Sequence, residues 1–458
     1  MESNVEDLKS KIIDLESRIK KIKVISLIST ISGKTKIFAD KMVYQFVSGF
    51  EEEPKHYEMP SLYWIFANLC YIIEKNCYLF LCDKGKRFLT NLPHLYDQAY
   101  VKNKDTYNND NYEDINVLTV YYKDLIDRIM LWINDPNNNV SQKEIYLITN
   151  SMHFNSRVNE IMLAIYKNLK TNIHTRNRLS PFSKINLLED NINSILFKTI
   201  IGGYFIQGND EEIKDYNFYP DNQRPSFKKF IKSFEISNTL ITQGMYIKFI
   251  EDGGYYKEWL WSLPGWEWRE KNIINCPEYW FKKDSNWYKY HYDTIIDIGL
   301  FYNFPVTNIS WYEADAFCKW VGGRLPLESE WEFCATNRGK TPFPWGTDLP
   351  CLKKCNIECE KINESNVMEY KKGNNLYGLT DMIGNAWEWC LDSYLPYSNF
   401  QMDLLNTSIS YNNFSQKKKI IKGGSSNSSK FFINPQYREG IFPENRLLNI
   451  GFRVVKSL

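Results

Sequence analysis

Histidine is scarce in this sequence, with five in 458 residues, and acidic and basic side chains leave almost no excess of either sign. Lys and Arg number 56 against 55 for Asp and Glu, so the chain as a whole has no field to hold nucleic acid or an acidic membrane surface. The sequence also lacks a charged-then-apolar secretory start and an apolar run long enough to span a bilayer. We therefore expect a cytoplasmic protein with no nucleic acid or membrane partner.

Cysteine is present but lacks the spacing of a zinc site. Ten cysteines are dispersed along the chain, and such residues in an intracellular protein are usually reduced and partly buried. The segment CLKKCNIEC spaces Cys351, Cys355 and Cys359 by four residues. This spacing fits one face of a helix, or a soft-metal cluster that lacks a fourth ligand nearby. Because it matches no zinc motif, we favour a structural role.

The first segment, residues 1–30, carries apolar side chains at alternating steps of three and four from Val5 to Ile22. The pattern covers less than three heptads. It predicts an amphipathic helix that packs on its own domain. The alternative is a coiled coil that forms a homo-oligomer through Val5–Ile22.

Residues 31–195 are predicted to be helical, and residues 196–458 to form a compact α+β domain. Apolar stripes predict helices in SLYWIFANLCYIIEKNCYLFL, in VLTVYYKDLIDRIMLWI and after Ser141, which fits a capping box with Glu144. A polar stretch near 103–116 is predicted to be an exposed loop. Up-and-down helices joined in this way predict a four-helix bundle. Beyond it Gly, Pro and Trp increase and strands are short, as in a loop-rich α+β domain.

The second region resembles the sulfatase-modifying-factor family, also called the formylglycine-generating-enzyme domain. Landmarks follow that family's order from residue 200 to residue 455, among them FPVTNISWYEADAFCKWVGGRLPLESEWEFCA, LYGLTDMIGNAWEWCLD, IKGGS and GFR. The resemblance implies a C-type-lectin-like fold. Formylglycine-generating enzymes need a cysteine pair after the GGS strand. The matching stretch, GGSSNSSKFFINPQYREG, has no cysteine, so this activity is not expected.

Several charged residues stand among the aromatic landmarks of this region. Their setting predicts that they are paired inside the core and are structural rather than catalytic. They are Arg324, Glu330, Glu332, Glu388 and Arg453.

Most of the chain resembles the sulfoxide synthases of ergothioneine and ovothiol biosynthesis, the EgtB- and OvoA-like enzymes. Those enzymes place a DinB-like four-helix bundle before this domain, and the segments DGGYYKEWLWSLPGWEWRE, PEYW and LDSYLPYSNF look like the EgtB type. The resemblance implies an Fe(II) site of three histidines in the bundle, open to oxygen and a substrate thiolate. Neutral imidazoles suit this ion.

The metal positions that the resemblance implies are degraded. In WIFANLCYIIE the ligand position holds Asn68. In TNSMHFN the two positions hold Thr149 and His153, and an asparagine two residues later replaces a glutamate. Amide and hydroxyl oxygens are weak, neutral donors for Fe(II), so no cofactor is expected unless the protein is active. His56 and His94 lack the helical context of a replacement ligand.

The substrate positions that the resemblance implies are degraded too. In REGIFPENR, Arg438 and Arg446 fit and are the candidate substrate-binding residues. A glycine and Ile441 replace the Trp-Asp pair that would hold a cationic substrate. Tyr397 is the candidate catalytic proton donor and Tyr394 the other choice, although tyrosines in so aromatic a chain more often serve packing.

Metal and substrate positions have both changed while the scaffold landmarks remain. The sequence therefore predicts an EgtB-like protein that has lost sulfoxide synthase activity and acts as a pseudoenzyme or binding scaffold for an unknown small molecule or protein. The alternative is an active iron(II)- and oxygen-dependent enzyme, with an altered ligand set, that forms a sulfur–carbon bond on a histidine-derived substrate. Abundant Asn, Lys, Ile and Tyr resemble chains of AT-rich genomes such as large DNA viruses, for which the location would be host cytoplasm or virion.

Overall fold

The structure is a computed structural model, and it describes residues 18–37, 39–40, 62–81, 115–138, 140–173, 194–210, 213–214, 217–292, 294–359, 363–402 and 414–458. The chain divides into two compact units: the helical unit (Met1–Met162 with Met402–Asn412) and the sheet unit (Leu163–Gln401 with Asn413–Leu458). Helices precede a sheet-rich region, so the predicted mixture of α and β is confirmed at this level. Within the described residues, no helix combines the length and hydropathy that a bilayer crossing requires.

The described part of the helical unit consists of helices, as its apolar stripes predict. They are α1 (residues 18–37), α2 (Leu62–Ile73), a π-helical turn (Glu74–Tyr78), α3 (Leu79–Leu81), α4 (Ile115–Asn134) and α5 (Gln142–Ile173). The predicted polar loop lies outside the described residues except at its end, where Ile115 and Asn116 already belong to α4.

Helix α1 packs through a stripe that begins at Val24 and continues through Ile28 and Ile31, all of which are buried. These side chains recur at helical spacing and so face one side. Ile19 and Ile22, at the end of the predicted seam, are 46% and 64% exposed. The rest of that seam lies outside the described residues.

Helix α5 starts with the predicted capping arrangement. The backbone N–H of Ser141 donates to the Glu144 carboxylate over 2.9 Å, and the Ser141 hydroxyl also donates to it. The first of these bonds is the glutamate half of a capping box and satisfies a backbone group that the first turn leaves open. The Ser141 hydroxyl in turn accepts from the Lys143 N–H over 3.3 Å, one residue before the position that a full box uses. The predicted contact of Ser141 with Glu144 is therefore confirmed.

The sheet unit contains short strands in several small sheets. Its strands are β1 (Phe197–Ile200), β2 (Gly203–Gln207), β3 (Ile213–Lys214), β4 (Asn217–Phe218), β5 (Phe227–Ile231), β6 (Phe234–Ser237), β7 (Trp280–Lys283), β8 (Asn286–His291), β9 (Thr294–Asp297), β10 (Trp387–Tyr394), β11 (Ser415–Lys422), β12 (Glu439–Ile441), β13 (Ile450–Gly451) and β14 (Val455–Ser457). The strand orders are β12-β11-β10-β13, β1-β6-β14 and β7-β8-β9, with the pairs β2-β5 and β3-β4. Only the β10–β13 pair is parallel among these.

Four longer helices belong to this unit: α6 (Gln243–Glu251), α7 (Leu263–Asn272), α8 (Trp311–Trp320) and α9 (Glu328–Ala335). Helix α9 packs against β2, β5, β10 and β11, and α6 packs against α8. Helix α8 is capped by Ser310, whose hydroxyl accepts from the Glu313 backbone N–H over 3.1 Å, and Gly322 follows its end with a φ of +71°. Trp387 and Trp389 on β10 are both buried, as their alternation predicts.

Two glycines explain the IKGGS landmark. Gly423 and Gly424 have φ values of +89° and +75°, which side-chain-bearing residues rarely adopt. A Cβ on Gly424 would also lie 2.2 Å from Ile433 Cδ1. The turn that leaves β11 therefore requires glycine at this place.

Candidate functional site

Helix α5 buries a polar face inside the helical unit. Every residue from Leu147 to Glu160 except Phe154 is buried. The polar residues among them are Thr149, Asn150, Ser151, His153, Asn155, Ser156, Arg157, Asn159 and Glu160. A helix buried on nearly all sides is normally apolar, because each buried polar group needs a compensating partner. A buried polar face of this kind is more typical of a functional site than of ordinary helix packing.

His153 lies in this interior as a neutral imidazole. Burial, and after it the positive charge of Arg157, lowers the pKa of His153 to about 3. Arg157 stands one turn later on the same helix and pairs with Glu160 over 3.1 Å. A neutral imidazole can ligate a metal, but here it shares its surroundings with a buried guanidinium.

Asn155 occupies the position of the second-shell glutamate that the resemblance implies. Its amide Nδ2 donates to the Tyr122 hydroxyl over 2.5 Å, and its Oδ1 accepts from the Thr35 hydroxyl over 2.7 Å. The Thr35 hydroxyl also lies 2.9 Å from Asn159 Oδ1. Asn155 thus joins α5 to α1 and α4.

The other helix of the implied metal site places its polar residues inside as well. Asn68 is buried on α2, and Glu74 opens the π-helical turn. Burial, and then a hydrogen bond with Glu74, raises the pKa of Tyr121 on α4, so this carboxylate already has a partner. Among the described residues, no group of three His, Cys, Asp or Glu side chains is arranged to hold a metal ion. His56 and His94 lie outside the described residues.

The donors at the three implied positions do not fit Fe(II). Thr149 and His153 are one turn apart on α5 and both are buried, as is Asn68. They offer one imidazole nitrogen and two neutral oxygen groups. Fe(II) sites of oxygen-using enzymes combine imidazole with carboxylate or further imidazole.

In the sheet unit, Arg438 and Tyr397 meet at one buried carboxylate. Arg438 pairs with Glu328 through Nε to Oε1 over 2.7 Å and Nη2 to Oε2 over 3.1 Å. The Tyr397 hydroxyl donates to Glu328 Oε1 over 3.0 Å, and the guanidinium lies 4.2 Å from the Tyr397 ring centre. Burial, followed by the charge of Glu328, raises the pKa of Tyr397 well above its usual value. The tyrosine proton is therefore held by Glu328.

A second ion pair completes this network. Lys422 Nζ donates to Glu332 Oε2 over 3.0 Å and lies 3.8 Å from Glu328 Oε1. The backbone N–H of Gly208 donates to Glu332 Oε1 over 2.8 Å. Two cations thus balance two carboxylates, as buried charges require. No sequence pattern predicts Glu328 and Lys422 as partners, although Lys422 belongs to the IKGGS landmark and Glu328 begins α9.

Arg446, the other candidate substrate-binding residue, is also engaged. Its Nε pairs with Glu313 Oε2 over 3.0 Å and its Nη1 with Glu278 Oε2 over 2.7 Å. Glu313 accepts from the Ser310 backbone over 2.7 Å and from the Tyr255 hydroxyl over 2.6 Å. Glu313 therefore caps α8 and neutralises Arg446 at once.

Other predicted charge pairs are confirmed. Arg453 Nε donates to Glu388 Oε2 over 2.8 Å, and neither side chain is exposed. Arg324 pairs with Glu330 through two short contacts of 2.6 and 2.7 Å. The Arg453–Glu388 pair joins positions 65 residues apart and so holds the loop-rich core together, whereas the Arg324–Glu330 pair is local.

The three spaced cysteines do not share a helix face, so that alternative is wrong. A turn closed by the Cys355 N–H and the Cys351 carbonyl over 3.1 Å is followed by extended chain. Cys355 lies in the core, and the Cys359 N–H donates to the Ser426 carbonyl over 2.7 Å. This cysteine segment packs on the serine-rich loop after β11.

Comparison with known proteins places these observations in a family. Residues 194–458 match the sulfatase-modifying factor enzyme 1-like domain. Hercynine oxygenase of Mycobacterium tuberculosis is 29% identical over 238 residues, which are 51% of this chain and 55% of that protein. Hercynine oxygenase of Mycolicibacterium smegmatis is 28% identical over 260 residues, 55% of this chain and 59% of that protein.

The chain thus spans little more than half the length of these curated relatives. Among solved structures, PvdO from Pseudomonas aeruginosa is 17% identical, with a TM-score of 0.41, over 59% of this chain and 100% of that one. The predicted resemblance to EgtB-like proteins that carry this domain is confirmed. This chain belongs to the sulfatase-modifying factor enzyme 1-like domain family.

Proposed function

We propose that this protein is an EgtB-like scaffold that does not form sulfur–carbon bonds and instead binds a small molecule or a protein. The observation that carries the proposal is the donor set on α2 and α5. Asn68, Thr149 and His153 occupy the implied ligand positions, and two of the three offer only neutral oxygen. Without a second imidazole or a carboxylate, the affinity for Fe(II) falls sharply.

The charge beside His153 supports the same proposal. Arg157 lies one turn away, and its positive charge contributes to the lowered pKa of His153. In a buried setting, a cation one turn away also disfavours a second cation such as Fe(II), because the repulsion between like charges is poorly screened there. Glu160 offsets part of this effect through its ion pair with Arg157.

The sheet unit supports the proposal from the substrate side. Arg438 and Arg446 each hold a buried carboxylate, namely Glu328 and Glu313. An anionic substrate would have to displace these carboxylates, and a buried carboxylate that loses its cation is costly. We infer that the two arginines support the fold and leave ligand recognition to other residues.

The arrangement of α1, α2, α4 and α5 is proposed to be the DinB-like four-helix bundle of the EgtB type. The helices occur in the expected order, and the polar face of α5 is buried as a bundle interior requires. The buried polar face also favours a second candidate function, an active iron enzyme with an altered ligand set. In that case His153 would hold Fe(II), which would supply oxygen activation.

Iron loading separates the two candidates. The full chain is reconstituted with Fe(II) under anaerobic conditions, and bound iron and thiol-stimulated oxygen uptake are measured. We expect substoichiometric iron that is unchanged in His153→Ala. The double variant Asn68→His/Thr149→His should gain iron, and this gain should disappear when His153→Ala is added. Stoichiometric iron in the unaltered protein, lost in His153→Ala and accompanied by oxygen uptake, would establish the active enzyme instead.

Self-association through Val5–Ile22 is a separate proposal. Its support is the exposure of Ile19 and Ile22 on α1, which face away from the buried stripe that begins at Val24. We expect the mass in solution to fall to that of a monomer in Ile19→Lys/Ile22→Lys, while Ile37→Lys, at another exposed α1 position, leaves it unchanged. An unaltered protein that is already monomeric contradicts the proposal.

A further inference from the structure

The ribbon formed by β2 and β5 turns apolar side chains outward. In this antiparallel pair Tyr204 lies opposite Phe230, and Ile206 lies opposite Lys228, so all four side chains share one face. Tyr204, Ile206 and Phe230 are 64%, 53% and 54% exposed. We call these four residues the hairpin face. The solvent side of a two-stranded ribbon is ordinarily polar, so this exposed apolar face has the character of a binding surface.

The other side of the same ribbon shows that the register is fixed. Phe205, Gln207 and Ile231 alternate with the hairpin face and are buried in the core of the sheet unit. A slip by one residue would exchange the two sides, and the core packing of Phe205 and Ile231 prevents this. The outward position of the apolar side chains is therefore a property of the fold.

Lysines lie within and beside the hairpin face. Lys228 lies within it, and Lys232, which directly follows β5, is exposed. Lys229 is exposed too but pairs with Phe205, so it belongs to the other side of the ribbon. Lys340 is exposed in the next loop, which packs against β2 so that Gly339 lies beside Ile206. Neither strand contains an acidic residue. The net charge of +1 hides this local excess, so the expectation of no membrane contact, which rests on the total charge, does not apply here.

The same features exclude two kinds of partner. A second copy would set the lysines of two hairpin faces against each other, and like charges across an interface are repelled. Nucleic acid bases need open ring faces for stacking. Here Tyr204 and Phe230 pack edge to face at 5.0 Å, and Lys228 Nζ covers the Tyr204 ring at 4.5 Å.

We propose that the hairpin face is a peripheral contact for an anionic lipid surface. Lysine is depleted in the cores of protein–protein interfaces, where arginine is preferred, whereas lysine around exposed aromatic and aliphatic side chains suits an anionic bilayer. The apolar side chains enter the headgroup region, and the lysines contact lipid phosphate and carboxylate groups. A fluid lipid surface also needs no shaped groove in the protein.

Vesicle sedimentation of the full chain tests the proposal. The probes are phosphatidylcholine vesicles with and without phosphatidylserine. We expect binding only to the anionic vesicles, weakened by added salt because surface charges are screened. Lys228→Gln should weaken binding about fivefold, the effect of one lysine at such a surface, and adding Lys232→Gln should weaken it about as much again. Tyr204→Ser/Phe230→Ser should abolish it.

Matched variants separate this surface from general stickiness. Trp259→Ser removes an exposed aromatic outside the ribbon and should leave binding unchanged. Circular dichroism confirms that each variant is folded. No binding of the unaltered protein to anionic vesicles overturns the proposal, as does binding that Tyr204→Ser/Phe230→Ser leaves intact. Self-association that the same double variant removes, without vesicle binding, assigns the face to a second copy and also overturns it.

Discussion

The two units treat buried polarity differently. In the sheet unit, buried charges form ion pairs across long stretches of sequence, such as Arg453 with Glu388 and Arg438 with Glu328. In the helical unit, the buried face of α5 consists mainly of amides and hydroxyls, and its ion pair, Arg157 with Glu160, lies within one helix. A buried ion pair between distant parts of the sequence is costly to break by changing one partner alone. Short amides and hydroxyls exchange partners more easily, so ligand positions can change while the helices remain.

The largest expected effect is the loss of a buried cation in the sheet unit. Arg453→Ala leaves Glu388 charged and buried beside Trp331, whose indole N–H donates to it over 3.0 Å. Breaking such a pair costs about 3–5 kcal/mol. We expect a large fall in the free energy of unfolding. Tryptophan fluorescence measures it mainly in the sheet unit, because only Trp64 and Trp132 of the 14 tryptophans lie in the helical unit.

The double variant Glu388→Gln/Arg453→Met is the control for that prediction. It removes both charges and keeps much of the volume, so it should cost less than the sum of the two single changes. If the costs are additive, the pair is not coupled, and the difference between the units loses its basis.

The next effect is a dependence on pH in the sheet unit. Burial raises the pKa of Asp381 from its usual value of 3.8 to about 7, and Arg453 opposes this only in part. The folded state therefore holds this proton more tightly than the unfolded state. The corresponding stabilisation is full below about pH 4 and is lost as the pH rises through about 7.

Asp381→Asn should remove that dependence. Asparagine tolerates the φ of +52° at this position and cannot ionise. We expect the variant to gain stability relative to the unaltered protein as the pH rises from about 4 to about 7, measured as urea midpoints by tryptophan fluorescence. A constant difference between the two proteins over this range contradicts the assignment.

A smaller effect is expected from the polar interior of the helical unit. Asn155→Ala removes the amide that donates to the buried Tyr122 hydroxyl and accepts from Thr35, whose hydroxyl keeps Asn159 as a partner. A buried polar group left unsatisfied costs about 1–3 kcal/mol. The helical signal in circular dichroism should show this loss, whereas Asn134→Ala, at an exposed asparagine of α4, should show little. A normal stability together with altered iron binding would return Asn155 to the second-shell role that the resemblance implies.

Local patterns in the sequence were sufficient for parts of this structure. The contact of Ser141 with Glu144 follows from short-range spacing, and the burial of Arg453 and Glu388 as paired charges follows from their aromatic setting, although the sequence does not indicate which charge pairs with which. The partner of Arg438 could not be predicted, because Glu328 lies 110 residues away and only the tertiary fold joins them.

The candidate site shows the same limit. The resemblance implies a ligand-supporting position for Asn155, but its contacts with Thr35 and Tyr122 depend on how α1 and α4 pack against α5. The hairpin face depends on a register that pairs Tyr204 with Phe230 across 26 residues (230 − 204). Periodicity predicts which residues share a face, and tertiary packing decides which face is covered.

The smallest expected effect comes from an exposed ion pair of the helical unit. Lys36 on α1 lies 3.2 Å from Asp127 on α4, with side chains 31% and 65% exposed. Water and salt screen such charges, and holding two flexible side chains costs entropy, so exposed pairs contribute about 0–1 kcal/mol. Asp127→Asn should therefore hardly move the urea midpoint seen by circular dichroism, and the small change should vanish at high salt. If the loss of stability in Asp127→Asn instead approached that of Arg453→Ala, burial would not be what distinguishes the charges of the two units. In that case the low cost of exchanging amides and hydroxyls on α5 would also lose its support.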